Sequence, residues 1–418
     1  MKDVAFCAGA GRAEIRFPAG YFPQEGFTGF RDEICARAII LECGIRVVIV
    51  SLELPSIRPY TLIDLLRQRI SSLTGADFEH IWVCVTHDMS APHVPQEEEK
   101  RKLHMDAVWE AAETAVRQAV QAMQPAVLGV GTGTTCVNAS RNILTKDGWW
   151  QGVNPDAYSD HRLTVVRIND RRQQAIALLY SLDVRPWVTA DVTLGTGTRQ
   201  ITGDLAGEAS RKLEARYENA VAMFLMGAAA DQVPVKKGRH YSVDENGALY
   251  EVDHGAESYD LMAALGSELA DEVASAAEAV VCTEKAVPIV CRQMSFIWKG
   301  QQRYHLPDRD IPHPKTEYVF EPAENQEVLI RMIRLGELAL IGMQPEISSS
   351  TGTQLYRRSP LRHTVLVGMV NGGQAYMPCR EAYQQLLPDA LNAPVAEGAA
   401  ERFVNAAQEL LMDSALSL

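Results

Sequence analysis

The segment RVVIVSLEL at residues 46–54 is followed by SIRPYTLIDLLRQRISSL at 56–73 and HIWVCV at 80–85. The first and last segments are short, rich in β-branched residues and bounded by polar residues, which is typical of buried strands. The middle segment has its apolar residues at helical spacing. This alternation of strand-like and helix-like segments favours an α/β architecture.

Segments of both kinds continue along the chain. A clear amphipathic stripe predicts a helix from His104, HMDAVWEAAETAVRQAVQAM. Further helices are predicted at 204–217, 259–280 and 397–411, and strands at 162–168, 174–182, 221–227, 286–291, 327–335, 337–343 and 364–370. Several of these strands follow each other with no helix between them. The pattern therefore predicts mixed β-sheets, with two sheets packed together and flanking helices, in one large domain over 1–418.

Two polar or glycine-rich stretches are predicted to be irregular. Residues 235–257 are polar and poor in helix formers, which predicts a long loop or a hairpin. The run GTGTT from Gly131 lacks the lysine of a phosphate-binding loop, and we predict a turn there.

The composition of the chain restricts the kinds of molecule that the protein is expected to bind. Apolar residues make up 47% and charged residues 22% of the chain, and the formal net charge is −13. A negative surface disfavours nucleic acid and anionic membranes, so neither nucleic acid nor a stable membrane contact is expected. No apolar run is long enough to span a bilayer, and the beginning of the chain is too polar for a secretory signal. Eight scattered cysteines without a CxxC pair predict reduced thiols in a cytoplasmic protein.

Polar groups follow five of the predicted strands. In open α/β sheets the ligand crevice lies beyond the carboxyl ends of the strands, so these positions are candidates for function. The candidates are His87 and Asp88 after WVCV, Asp183 and Arg185 after LLYSL, Asp231 after FLMG, Glu346 after LALIGM, and Asn371 and Tyr376 after LVGMV.

A series of short motifs resembles the neutral/alkaline ceramidase family. The opening is GAGRAEI at 9–15, CARAIIL at 35–41 and VVIVSLEL at 47–54, and the family's THTHSxP motif falls on THDMSAP at 86–92. Later family motifs fall, in the same order, on NPD at 154–156, RP at 185–186, ITGDLAG at 201–207, GAAADQVP at 227–234, QPE at 344–346, and Asn371, Tyr376, Pro378 and Tyr383. The resemblance extends from residue 9 to about 385, and from it we expect a domain of the catalytic type, without the family's C-terminal sandwich-like domain.

The resemblance implies a zinc-dependent amidase. Zinc would be held at the positions of His87, Arg185, Glu346 and Tyr376, with an assisting histidine at Met89. Two of these positions depart from the family. Arginine has no lone pair free for a metal, and methionine is a soft ligand poorly suited to zinc.

Three alternatives follow from these departures. In the first, Asp88 or Asp183 completes a rebuilt metal shell with His87, Glu346 and Tyr376, and zinc remains the expected cofactor. In the second, no metal is present and Arg185 binds an anionic small molecule. The alternative to Asp183 as a metal ligand is that it neutralises Arg185 as an ion pair. In the third, the chain binds a ligand without catalysis.

The leading expectation is a hydrolase of a C–N amide, ester or lactone bond in a small soluble substrate, acting through a metal-bound water. His87, Tyr376 and Arg185 are then the predicted catalytic groups, and Arg185, Asn371 and Asp231 are expected to contact the substrate. The expected partners are this small molecule and, as an open alternative, further copies of the chain.

Overall fold

The computed structural model describes residues 5–195, 197–283, 287–304, 312–373 and 375–415. Its strands, in chain order, are β1 (Cys7–Glu14), β2 (Phe27–Phe30), β3 (Cys35–Cys43), β4 (Ile45–Leu52), β5 (Ile81–Val85), β6 (Gln124–Thr134), β7 (Asn138–Thr145), β8 (Gly148–Asn154), β9 (Arg162–Asp170), β10 (Ala175–Leu182), β11 (Arg199–Ile201), β12 (Val221–Met226), β13 (Gln232–Pro234), β14 (Arg239–Val243), β15 (Leu249–Asp253), β16 (Ile289–Gln301), β17 (Pro322–Leu335), β18 (Leu338–Met343) and β19 (His363–Val367). The α-helices are α1 (Thr61–Thr74), α2 (Glu98–Gln121), α3 (Asp204–Arg216), α4 (Ser258–Glu278), α5 (Ser349–Arg358), α6 (Arg380–Gln384), α7 (Pro388–Leu391) and α8 (Ala399–Ala415).

An eight-stranded sheet forms the larger half of the fold, in the order β12-β10-β9-β6-β1-β3-β4-β5. The stretch at 46–85 forms β4, α1 and β5, and its two strands are parallel with Val48 opposite Ile81. A second parallel pair, β10 and β12, is connected through α3, while the pairings between these two ends are antiparallel. The sheet is therefore mixed, as predicted.

A second sheet packs against the first. It has four strands in the order β16-β17-β18-β19, with β18 and β19 parallel and connected through α5. Apolar side chains of both sheets share one core, which includes Ile39 and Trp82 from the first sheet and Leu340 and Val365 from the second. Helices α1 to α4 cover the outer face of the first sheet, and α5 and α8 that of the second. The predicted fold class, α/β with two packed sheets and flanking helices, is confirmed.

The structure differs from several of the local predictions. Helix α2 begins at Glu98 rather than near His104, because Glu98 and Glu99 form its first turn, where acidic residues favour the helix dipole. The GTGTT run, predicted as a turn, lies largely within β6. Glycine is needed there for packing, since a Cβ at Gly131 would collide with Val280 at the end of α4. The polar stretch at 235–257 does contain a hairpin, β14 and β15.

Carboxyl ends of parallel strands from both sheets meet at one edge. The segment after β19 contacts the ends of both β12 and β5, because Gly368 N–H donates to Met226 C=O and Asn371 N–H donates to Val83 C=O, each at 2.8 Å. The segment after β12 in turn meets β10, where Gly227 N–H donates to Leu182 C=O at 3.0 Å. In the described part of the chain, no helix is both long and apolar enough to cross a membrane.

Candidate active site

His87 lies directly beyond β5 in a constrained backbone conformation. Its φ is 62°, a left-handed value that costs energy in a residue other than glycine. The neighbouring backbone fixes this turn, because Thr86 N–H donates to Leu52 C=O at 2.9 Å and Asp88 N–H donates to Leu54 C=O at 3.2 Å. The imidazole Nδ1 lies 2.7 Å from the carbonyl oxygen of Pro55. Since that carbonyl only accepts, Nδ1 carries the proton and Nε2 is left with a free lone pair.

His87, Glu346 and Arg185 form a compact triad. Glu346 follows β18, and its Oε1 lies 3.5 Å from His87 Nε2. Its other oxygen, Oε2, accepts a hydrogen bond from Arg185 Nε at 2.8 Å and lies 2.7 Å from Nη2. The exposed fractions of the three side chains are 15% for His87, 4% for Glu346 and 0% for Arg185. A molecule arriving from solvent therefore meets the imidazole first.

Electrostatics assign one protonation state to this triad near neutral pH. Burial lowers the pKa of His87, and this effect outweighs the raising influence of Glu346. Burial acts in the opposite direction on Glu346, but the charge of Arg185, aided by His87 where it is protonated, holds the pKa of this carboxyl below its ordinary value. The imidazole is therefore neutral, the carboxylate is ionised, and the guanidinium supplies the balancing positive charge.

Aromatic rings and guanidinium groups alternate in a stack beside the triad. The central carbon of Arg185 lies 4.6 Å from the ring centre of Trp187 and 5.2 Å from that of Tyr376. A second buried arginine, Arg141, lies 5.2 Å from the same Tyr376 ring and is paired with Asp389. Stacking of this kind favours a cation over an aromatic face and fixes the plane of each guanidinium.

Arg185 has donor capacity that the described residues do not use. No acceptor is aligned for a hydrogen bond with Nη1 or Nη2, although Nη2 makes the ion-pair contact with Glu346. Both nitrogens are buried, and a buried donor without an acceptor costs about 1–3 kcal/mol. Orphan donors of this kind in native proteins call for an explanation, such as water, an ion or a functional ligand.

The two aspartates predicted as additional metal ligands do not join the triad. Asp183 accepts hydrogen bonds from Ala228 N–H and Ser349 Oγ, both at 2.8 Å. The Asp183 carboxylate lies so close to the end of β12 that only glycine fits at position 227, because a Cβ on Gly227 would collide with it. Asp183 therefore does not neutralise Arg185, whose carboxylate partner is Glu346.

Asp88 is fully buried on a different side of the loop. Its Oδ1 accepts from Ser90 N–H at 2.7 Å, and Oδ2 has no hydrogen-bond partner among the described residues. Burial and the nearby Asp204 raise the pKa of Asp88 well above its ordinary value. This favours the protonated acid, which is a poor metal ligand.

The two residues predicted to contact substrate beside Arg185 are committed to the backbone. Asn371 Oδ1 accepts from Val83 N–H at 2.7 Å and Nδ2 donates to Ile81 C=O at 3.1 Å, so this side chain extends the hydrogen bonding of β5. Asp231 accepts from Ser349 N–H at 2.9 Å, at the start of α5, and burial raises its pKa to about 6. Both residues hold strand ends in position next to the triad.

Asn371 offers a direct test of this structural role. Asn371→Ala is expected to lower the free energy of unfolding by about 2–3 kcal/mol, since it removes two buried hydrogen bonds and leaves alanine at a φ of 55°. Asn371→Gly removes the same bonds but tolerates the positive φ, so it should lose less than the alanine variant. Urea denaturation measures both. Two stable variants with weakened ligand binding would instead identify Asn371 as a substrate contact.

Sequence reasoning missed Trp187, Arg141 and Asp389. Trp187 Nε1–H donates to His87 C=O at 2.6 Å, and its ring lies 5.2 Å from the imidazole, so it braces the turn that holds His87. Its position two residues after Arg185 was the available signal. Arg141 and Asp389 are 248 residues apart, and neither lies in a motif that predicts their pairing.

The donors around Glu346 do not fit the zinc ion that the family resemblance implies. His87 Nε2 and Glu346 Oε1 converge, but the next position is filled by a guanidinium, which repels a divalent cation and already occupies Oε2. The ring of Tyr376 is held between two arginines. The described residues contain no group of three or more histidine, cysteine, aspartate or glutamate side chains able to hold a metal.

Comparison with known proteins finds likeness in structure rather than in sequence. No protein-family model matches the chain, and no curated protein matches its sequence. A solved structure described as a ceramidase complexed with C2 has 18% identity and a TM-score of 0.70, and the match covers 98% of this chain and 75% of that one. Neutral ceramidase from Pseudomonas aeruginosa has 19% identity and a TM-score of 0.70, with 99% and 75% covered. The resemblance predicted from the motifs is thus confirmed at the level of architecture: this chain has the neutral ceramidase fold.

Proposed function

We propose that the protein hydrolyses a C–N amide or ester bond in a small anionic substrate, with Arg185 binding the anion and His87 acting as the base. The observation that carries this proposal is the unused donor capacity of the buried Arg185: Nη1 has no hydrogen-bond partner among the described residues, and Nη2 has only its ion-pair contact with Glu346. Nη1 and Nη2 form the end of a planar group that lies against the rings of Trp187 and Tyr376. Such an edge matches the two oxygens of a carboxylate.

The proposed base is the Nε2 atom of His87. Its lone pair is free because Nδ1 donates to Pro55, and burial keeps the imidazole neutral. In the proposed reaction, Nε2 takes a proton from water as the water oxygen bonds to the substrate carbonyl carbon. The same proton then passes to the leaving nitrogen or oxygen as the C–N or C–O bond breaks.

Positive charge beside the base supports this chemistry. The carbonyl oxygen becomes negative during attack, and fixed cations that face it lower the barrier. Arg185 is the cation of the triad, and Arg141 adds a second positive charge against the same Tyr376 ring. Zinc, expected from the sequence, stays a prediction that this donor set does not favour.

The test is a hydrolysis assay on N-acetyl amino acids, compared with the matched N-acetyl amines that lack the carboxylate. Only the carboxylates should be cleaved well. Because burial lowers the pKa of His87, activity should persist at about pH 6, where an ordinary histidine is largely protonated. His87→Ala should cost about a hundredfold or more in kcat, whereas His93→Ala, on the same loop but paired with Glu25 at the surface, should not.

Metal content separates the alternatives in the same preparation. Activity that survives chelator treatment supports the metal-free proposal, and activity that follows the zinc content of the protein overturns it. Saturable binding of the carboxylates without any hydrolysis would support a binding protein instead of an enzyme.

A further inference from the structure

A basic groove lies between the two sheets, apart from the His87 triad. The beginnings of β9 and β19 and the end of β6 enclose a cavity of about 490 Å³. Four side chains define this basic groove: His161 and Arg162 from the start of β9, and Arg362 and His363 from the start of β19. Thr164 and Thr364 are buried beneath them. A volume of this size is within the usual range for small-molecule sites, about 300–1,000 Å³.

The arginines of the basic groove have no acidic partner in the part of the chain that the structure describes. Arg162 is exposed, and its guanidinium carbon lies 4.4 Å from the ring centre of Tyr356, which fixes its direction. Arg362 is exposed and makes no ion pair with a described residue. This is unusual in a chain with a net charge of −13, where acidic partners are abundant.

Both oxygens of the acidic residue that lines the groove, Asp160, already accept hydrogen bonds. Asp160 Oδ1 accepts from the backbone N–H of Arg162 at 2.9 Å, and Oδ2 accepts from Thr353 Oγ1 at 2.7 Å. Two arginines therefore stand against one carboxylate among the residues that line the groove.

We propose that the basic groove binds a phosphate-bearing small molecule, independently of the reaction at His87. Guanidinium forks bind phosphate oxygens in pairs, and imidazole and threonine hydroxyl groups add further donors. The groove is too small for a macromolecular surface but large enough for a phosphate monoester of nucleotide size. The ligand is either free phosphate or a phosphate ester, since both present the same oxygens.

Isothermal titration calorimetry on the full chain distinguishes these sources. Inorganic phosphate, glycerol 3-phosphate, adenosine 5′-monophosphate and adenosine are titrated separately at a fixed ionic strength of about 0.15 M. Both phosphate esters are expected to bind and adenosine is not. Phosphate binding as tightly as the esters identifies free phosphate as the ligand, and tighter ester binding identifies an ester.

Matched variants locate the binding. The double variant Arg162→Gln/Arg362→Gln should weaken the affinity for the tightest phosphate ligand about tenfold or more. Arg172→Gln removes an equally exposed charge in the turn that follows the far end of β9 and should leave affinity unchanged. All these side chains are at the surface, so the variants should fold. Any one of four results overturns the proposal. The double variant binds as tightly as the parent, or Arg172→Gln weakens binding to the same extent. Adenosine binds as tightly as its monophosphate, or no phosphate binds.

Discussion

Replacing Arg185 with methionine is expected to lower the free energy of unfolding by about 3–5 kcal/mol at pH 7. The cause is Glu346, which is 4% exposed and would lose the guanidinium that lies 2.7 Å from its Oε2. Methionine fills a similar volume between Trp187 and Tyr376 but carries no charge. An ionised carboxylate buried without its partner is among the most destabilising changes that a substitution produces.

The contribution of Glu346 to the free energy of unfolding should depend on pH, and the direction of this dependence should be opposite in the parent and in Arg185→Met. In the parent, Arg185 and His87 hold the pKa of Glu346 below its ordinary value despite burial. The carboxyl therefore adds stability above its unfolded pKa of about 4.3, and this stability is lost as pH falls through the folded pKa. In Arg185→Met, burial dominates and the folded pKa lies above the unfolded one, so stability is lost as pH rises. The difference between the two proteins should shrink from pH 7 to about pH 4.

Urea denaturation at both pH values measures this, with two companion variants. Arg185→Met/Glu346→Gln removes the uncompensated charge and should recover most of the loss at pH 7. Arg172→Met, in an exposed turn, should change stability by less than about 0.5 kcal/mol. If Arg185→Met is equally destabilised at both pH values, the loss comes from packing between the two rings rather than from the charge of Glu346.

Arg185→His is expected to turn the triad into a site that takes up roughly one equivalent of zinc. The change removes the repelling cation, frees Glu346 Oε2 and adds an imidazole where the resembling family has its histidine. His87 Nε2 and Glu346 Oε1 are already 3.5 Å apart. Two donors that share a tetrahedral zinc at about 2.0–2.1 Å each are separated by roughly 3.3 Å, so little movement is needed.

Metal analysis after zinc loading and dialysis gives the stoichiometry, and the visible absorption of a cobalt-loaded sample reports the geometry. Arg185→Met is the matched control, because it also lacks the guanidinium but adds no donor. Arg185→His/His87→Ala should lose the metal again. Equal zinc uptake by the parent and Arg185→His would mean that Arg185 does not exclude the ion, and the zinc-dependent hydrolase predicted from the sequence would then be favoured.

Much of the fold followed from local patterns. The strand–helix–strand stretch at 46–85 and the later strands have periodicities that a single segment reveals, and adjacent strands without helices predicted two packed sheets. The errors occurred where a distant contact overrides local preference. Glycine at Gly131 looks like a turn residue, but it lies in a strand because the end of α4 leaves no room for a side chain.

The candidate site was also predicted only in part from local sequence. Polar residues after apolar strands identified His87, Arg185, Glu346 and Tyr376, since strand ends of one sheet edge meet in space. The structure brings these four together. It separates them from Asp88, which turns into its own buried acidic surroundings beside Asp204.

By itself, the sequence determined the architecture and the strand ends that carry polar groups, and it placed Arg185 where the resembling family has a histidine. Only the tertiary structure decided the partner of that arginine. Asp183 is two residues away and would share its face on a continuing strand, but β10 ends at Leu182 and the alternation of faces ends with it. Glu346, 161 residues further along, pairs with Arg185 instead. The reason is that charge pairing depends on distance in space, which packing of the two sheets fixes and local sequence does not.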